Sequence, residues 1–151
     1  MRVSAKADYA LRAVAELACA GTRSVKGEHI ADAQGIPLRF LENILLELKH
    51  DGIVATQRGS AGGYTLARPP AQITLADVIR AVDGPLANVR GQRPEDVTYI
   101  GAAESLQEIW IAVRANLRAV LETVTIDDLI HNRIPPQVHA LTGDADAWVT
   151  R

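Results

Sequence analysis

The run Gly59-Ser60-Ala61-Gly62-Gly63 carries three glycines in five residues, between two stretches of strand character, Ile53–Arg58 and Tyr64–Ala67. Glycine accepts positive φ and close backbone approach, so the run predicts a tight reversal and the flanks pair as a β-hairpin. A helical pattern stands directly before it, running from Pro37 to about His50, in which Leu41, Ile44, Leu45 and Leu48 share one face. A shorter helix over 26–34 precedes that one, with Ile30, Ala31 and Ala33 inside and Gly35 at its end. Two helices joined by a short glycine-containing turn form a helix-turn-helix, and a hairpin placed immediately after it is a wing. The order predicts a winged helix-turn-helix for the front of the chain.

The remaining elements follow from caps and periodicity. Ser4 is a candidate N-cap for a first helix over 4–19, with Ala7, Leu11, Val14, Leu17 and Ala18 at helical spacing and Gly21 as its stop. Ser24 is the corresponding candidate for the second helix, and Pro37 suits the first turn of the third. Thr74 and Asp77 have capping-box spacing and open a fourth helix over about 75–82, closed at Asp83-Gly84-Pro85. Residues 84–101 are aperiodic and read as a loop. A long helix is expected over about 103–123. Leu106, Trp110, Val113, Leu117, Val120 and Val124 alternate steps of four and three, the pattern of a helix–helix seam, and are assigned to dimerisation. Thr125–Asp128 restarts a short helix to about Ile130, and the tail with Pro135-Pro136 is expected to drape or stay disordered. The fold class is mainly α with a small β-hairpin wing. Its parts are a DNA-binding winged helix-turn-helix over 1–84, a connecting loop over 85–101, a dimerisation helix with a short following helix over 102–131, and a tail over 132–151.

Composition narrows the function. Aromatic residues are 4% of the chain, so the core must be aliphatic. The net charge is −2, but residues 1–68 hold nine Lys/Arg against seven Asp/Glu, and residues 69–151 hold seven against eleven. A mildly basic front and an acidic rear fit a DNA-reading head with a non-contacting body, although an uneven scatter of charges would look the same. The one cysteine, Cys19, excludes an intramolecular disulfide and a four-thiolate metal site. It is expected to be a buried, inert thiol. His29, His50, His131 and His139 show no ligand spacing, so no metal and no cofactor are expected. No apolar run approaches the roughly 20 residues that span a membrane, and Asp8 and Glu16 interrupt any signal-peptide pattern. The chain is expected in the cytoplasm. It carries no P-loop, dinucleotide fingerprint or nucleophile motif, so an enzyme is not expected.

On the third helix, Arg39 and Asn43 point away from the apolar face, with Glu42 beside them, all in the first half where recognition helices touch bases. Arg can donate twice to guanine, Asn can bond both edge groups of adenine, and Glu can accept from the cytosine amine. Any amphipathic helix has a polar solvent face, and it is the wing behind this one that favours DNA reading. Arg58 sits at the wing's turn, where an arginine can follow the phosphate backbone or enter a minor groove.

The run Phe40–Leu45, then Leu48, Gly52-Ile53-Val54, Arg58-Gly59, Gly62–Ala67 and Ile73–Gly84, with Tyr9-Ala10-Leu11-Arg12 at the start, resembles the Rrf2 family of bacterial transcription regulators. The resemblance is close over about 1–84 and looser over the long helix. It implies a winged-helix head, a long helix crossing its partner in a homodimer, an imperfect palindrome in double-stranded DNA as target, and repression as the usual outcome. By position, Glu42 and Asn43 match base-reading residues, and Arg58 and Ser60 match the wing. Phe40, Gly62 and Gly63 join the expected DNA-binding set as parts of the matched runs. Cluster-binding members carry three cysteines between the fourth and the long helix, where this chain has none between Gly84 and Glu104. Asp8 stands where some members supply an additional ligand. Iron–sulfur clusters need thiolates, so sensing through one is not expected. A protein-docking role for the winged helix stays open, as does control by a small-molecule or protein effector, with the loop over 84–101 as the expected point of coupling.

Overall fold

A computed structural model describes residues 2–150. The elements are helices α1 (Ala5–Cys19), α2 (Gly27–Gln34) and α3 (Leu38–His50), strands β1 (Val54–Gln57) and β2 (Gly63–Leu66), and helices α4 (Leu75–Asp83), α5 (Leu106–Leu121), α6 (Ile126–Ile130) and α7 (Pro136–Leu141). Short 3₁₀ turns stand at Pro70–Gln72, Pro94–Asp96, Gly101–Ala103 and Ala145–Trp148. The chain is mainly helical with one antiparallel hairpin, as expected.

Helix α1 is the centre of the head. Ala7, Ala10, Ala13, Val14, Leu17 and Ala18 are buried along it, and the alanines let neighbouring helices come close. It packs on α2, α3, α4, α6 and β2. Leu41, Ile44, Leu45 and Leu48 of α3 fill the facing side, each at most 1% exposed. Among the described residues the core holds no buried polar or charged residue, as a chain poor in aromatics and rich in Leu, Ile, Val and Ala must arrange it.

Ser4 caps α1 as expected, its Oγ accepting from the Ala7 amide at 2.9 Å. The same hydroxyl donates to Asp83 at 2.6 Å, which ties the start of α1 to the end of α4. Ser24, by contrast, does not cap α2. The N-cap is Lys26, with no side-chain hydrogen bond, and the Ser24 hydroxyl donates instead to the Ala61 carbonyl at 2.7 Å. Pro37 sits one position earlier than expected, at the N-cap of α3.

Two capping boxes join the head to the long helix. Thr74 with Asp77 opens α4, and Thr125 with Asp128 opens α6. The two threonines also pair as an antiparallel bridge. The Leu75 amide donates to the Val124 carbonyl at 3.0 Å, and the Ile126 amide to the Ile73 carbonyl at 2.8 Å. Ile126, fully buried, then drops into the head's core. The chain leaves the head at α4, travels along α5 and is pinned back on return.

Three readings need correction. Helix α5 ends at Leu121, so Val124 is not on it; it is 8% exposed and belongs to the bridge with the head rather than to the seam. Cys19 is exposed at the end of α1, because the last turn rotates it away from the face that Leu17 and Ala18 bury. The tail is not featureless: Pro136 starts α7, and the Trp148 indole N–H donates to the Thr142 carbonyl at 2.8 Å.

Asp128 is held below the usual carboxylate range, first by the Thr125 backbone amide, then by the Thr125 hydroxyl and by Arg133. A depressed carboxylate contributes stability that is full above its unfolded value and is lost as pH falls through the folded one. Thr125→Ala is expected to cost about 1 kcal/mol through the lost cap. Ile126→Ala is expected to cost about 2–5 kcal/mol through the cavity. Urea unfolding of both variants checks the ordering. An Ile126→Ala protein as stable as wild type would mean that α6 is not anchored in the core.

Candidate nucleic-acid interface

The direction in which α3 presents its residues is set by what it buries. Pro37 supplies the carbonyl that accepts from the Phe40 and Leu41 amides, each at 3.0 Å, and so opens the first turn. The four buried aliphatics fix the rotation. Arg39, Glu42, Asn43 and Leu46 are left exposed. Arg39, Glu42 and Asn43 make no side-chain hydrogen bond or ion pair with another described residue. Glu47 on the same helix is committed differently, pairing with Lys6 of α1 at 2.7 Å. Three polar groups with both chemistries of base recognition thus stand unused on one face. Nothing in the fold explains the exposure of Leu46.

Phe40 is partly committed inward. Its ring meets Tyr9 edge to face at 5.7 Å, and the Arg12 guanidinium lies 4.8 Å from the Tyr9 ring. Arg12 also donates to the Gln34 carbonyl at 2.8 Å, while the Gln34 amide donates to Glu16. Helix α1 therefore holds the last turn of α2, and through it the turn that aims α3. The pairing of Tyr9 with Phe40 had no signal in the sequence beyond two aromatics in an aromatic-poor chain.

The wing pairs Val54 with Leu66 through to Gln57 with Gly63. Arg58 and Ser60 are exposed at its turn, and neither side chain has a partner among the described residues. Gly62 and Gly63 are needed inside the wing. A Cβ on Gly62 would stand 2.4 Å from the Gln57 carbonyl oxygen. On Gly63 it would stand 2.5 Å from that of Val25. Gly62 is buried and Gly63 half-buried, so the crowding is internal. Val25 lies close because it adds a third edge to the hairpin: its amide donates to Tyr64 at 2.9 Å and its carbonyl accepts from the Tyr64 amide at 2.8 Å. This clamp between the wing and the start of α2 escaped the sequence reading, since one β-branched residue is no strand signal. It brings the exposed Arg23 and Lys26, which form no ion pair with a described residue, beside the wing.

Helix α5 has no buried residue. Leu106, Trp110, Val113, Leu117 and Val120 are half-buried on one face, and Ile109, Ala112, Ala115 and Ala119 are exposed on the other. The half-buried seam overlooks a groove of about 580 Å³, with Leu117 and Leu121 on one wall and Ala7, Ile79 and Leu86 on the other. The loop before α5 is fastened to it: the Gln107 side-chain amide donates to the Val97 carbonyl at 2.8 Å, and Arg114 pairs with Glu95.

Gly63→Ala is expected to destabilise the chain by about 1–3 kcal/mol, because the added methyl meets backbone rather than a side chain that can swing away. Unchanged urea unfolding would show that Val25 and Tyr64 do not pair in solution.

Residues 3–132 match the sequence profile of the Rrf2 family, described as iron-dependent transcriptional regulators. A Mycobacterium tuberculosis protein described as a candidate HTH-type transcriptional regulator, Rv1287, is 46% identical over 145 residues, covering 95% of this chain and 90% of its own. The structure of CymR, the global cysteine regulator of Bacillus subtilis, superposes with a TM-score of 0.74 at 30% identity, over 87% of this chain and 98% of that one. IscR of T. potens superposes at 0.71 and 26% identity, over 99% and 97%. The donors of this chain do not fit an iron–sulfur cluster. Its one thiol, Cys19, stands at the end of α1, the loop between α4 and α5 has none, and no three His, Cys, Asp or Glu side chains converge as a metal site among the described residues. With profile, relatives and winged-helix fold in agreement, the chain belongs to the Rrf2 family of DNA-binding HTH-type transcription regulators.

Proposed function

We propose that the chain is a repressor that reads a palindromic operator in double-stranded DNA as a homodimer, in the cytoplasm and without an iron–sulfur cluster. The observation that carries this reading is the exposed face of α3, where Arg39, Glu42 and Asn43 have no side-chain partner among the described residues although the opposite face is buried. In the major groove, Arg39 donates to guanine, Asn43 bonds adenine and Glu42 accepts from cytosine. Arg58 and Ser60 meet the backbone or minor groove from the wing. Arg23 and Lys26, clamped beside the wing, are suited to phosphate contacts.

The homodimer is supported by α5. A 16-residue helix with no buried residue and an apolar seam above an open groove needs a cover. A second copy of the same helix supplies one with two-fold symmetry, and two-fold symmetry requires a palindrome. A dimer seated on a promoter excludes polymerase, which is repression in its simplest form.

Three outcomes are expected. Retention of fragmented genomic DNA at near-physiological salt should recover a two-fold palindrome; recovery of no preferred sequence would favour docking on protein instead. Asn43→Ala should cost about 1–3 kcal/mol at one base position and relax choice there, whereas Arg58→Ala should weaken binding to all sequences and lower the salt slope by about 1. An equal loss across sequences for Asn43→Ala would refute the base contact. Leu117→Asp should give a monomer by light scattering, and a dimer of unchanged mass would sink the seam.

A further inference from the structure

A second cleft, of about 440 Å³, opens where the loop after α4 turns back along α5. Four arginines line it: Arg80 from α4, Arg93 from the loop, and Arg114 and Arg118 from α5. The carboxylates available to them are few. Arg114 pairs with Glu95 at 2.5 Å. Arg80 pairs with Glu122, and Arg118 Nε is 3.8 Å from the same Glu122 oxygen. Arg93 forms no side-chain hydrogen bond or ion pair with a described residue. Two carboxylates thus serve four guanidinium groups, in the half of the chain where acids outnumber bases by eleven to seven.

Four guanidinium groups against two carboxylates leave the cleft with a positive excess, which concentrates anions. The Glu95 carboxyl also lines the cleft. It lies below the usual carboxylate range, first through hydrogen bonding to its own backbone and then through Arg114 and Arg93. The cleft volume is that of a small-molecule site, and the arginine fork matches the planar spread of oxyanion oxygens.

We propose that this cleft is a binding site for a small dianionic oxyanion, a molecule bearing phosphate, sulfate or paired carboxylates, and that its occupant is the effector. The walls come from three parts, the head, the loop and the long helix. An anion held by Arg80 on one side and by Arg93, Arg114 and Arg118 on the other bridges the reading head to α5. In a dimer the angle between these two sets the distance between recognition helices, and an anion that fits one angle better shifts the population toward it. This regulatory half rests on the DNA-reading proposal above; the binding half does not.

The test uses the full-length protein. Its unfolding midpoint is measured in sodium phosphate, sodium sulfate and sodium succinate, each against sodium chloride at matched ionic strength, with calorimetry for affinity. At least one dianion is expected to raise the midpoint by roughly 5–10 °C at a hundred times its Kd. A response to phosphate and sulfate but not succinate assigns the site to phosphate-like groups, and the reverse assigns it to dicarboxylates. Arg93→Ala should abolish the shift while keeping the anion-free midpoint. Arg90→Ala, on the same loop but outside the cleft, should keep the shift. No response to any of the three, or a shift that survives both Arg93→Ala and Arg93→Glu, overturns the site. With operator fragments in hand, the responding anion should change wild-type affinity at least several-fold and leave Arg93→Ala unchanged. Anion binding with constant operator affinity overturns the effector role alone. A protein that retains no DNA but still shows the anion shift fails the DNA reading and keeps the site.

Discussion

The outward face of this protein depends on how closely α3 can lie against α1. Helix α1 buries Ala7, Ala10, Ala13, Val14, Leu17 and Ala18, and α3, packed on it, buries Leu41, Ile44, Leu45 and Leu48. A closely packed aliphatic interface has one good register, because a rotation of α3 would open voids and lift leucines into water. That single register decides which residues of α3 are left over. The exposed polar residues of α3 need no support of their own. They are aimed by the residues behind them, by the Arg12 contact that stops α2, and by the Lys6–Glu47 pair at the far end.

The wing and the long helix are fixed to this head by backbone hydrogen bonds more than by side chains. Val25 and Tyr64 exchange two backbone bonds that hold the wing against the start of α2. Thr74 and Thr125 pair across the base of α5, each also capping its own helix. The second joint gives the long helix an anchored base and leaves its body with little to pack on. The loop over 84–101 is fastened along it by Gln107 and Arg114.

Most of the architecture was legible in the sequence because it is local. Helices announce themselves by apolar period and caps, and the hairpin by glycines between β-branched residues. What was hidden is pairing at a distance. Ser24 reads as a cap until the wing returns to offer it the Ala61 carbonyl. Val124 continues a heptad by spacing, but the helix stops at Leu121 and the residue is spent on the joint. Gly62 and Gly63 read as a turn and turn out to be the only residues that fit beneath neighbouring carbonyls. Of the expected DNA-facing set, Arg39, Glu42, Asn43, Arg58 and Ser60 stand exposed with no side-chain partner among the described residues, while Phe40 is shared with Tyr9 and the two glycines serve the wing.

The loop between α4 and α5 shows how one position in a fold can hold different chemistry. Thiolates at this place would suit an iron–sulfur cluster, a dense group that draws its ligands together. This chain has no thiolate there, and what the fold gathers is guanidinium from α4, the loop and α5. Guanidinium groups cannot draw one another together, since their mutual interaction is repulsive. They converge because Thr74 at the start of α4 bridges Thr125 at the start of α6, because Gln107 on α5 holds the loop, and because Glu122 and Glu95 pair with three of them. The scaffold and these two carboxylates hold the like charges close, and the excess they leave unmet is what the proposed anion would neutralise.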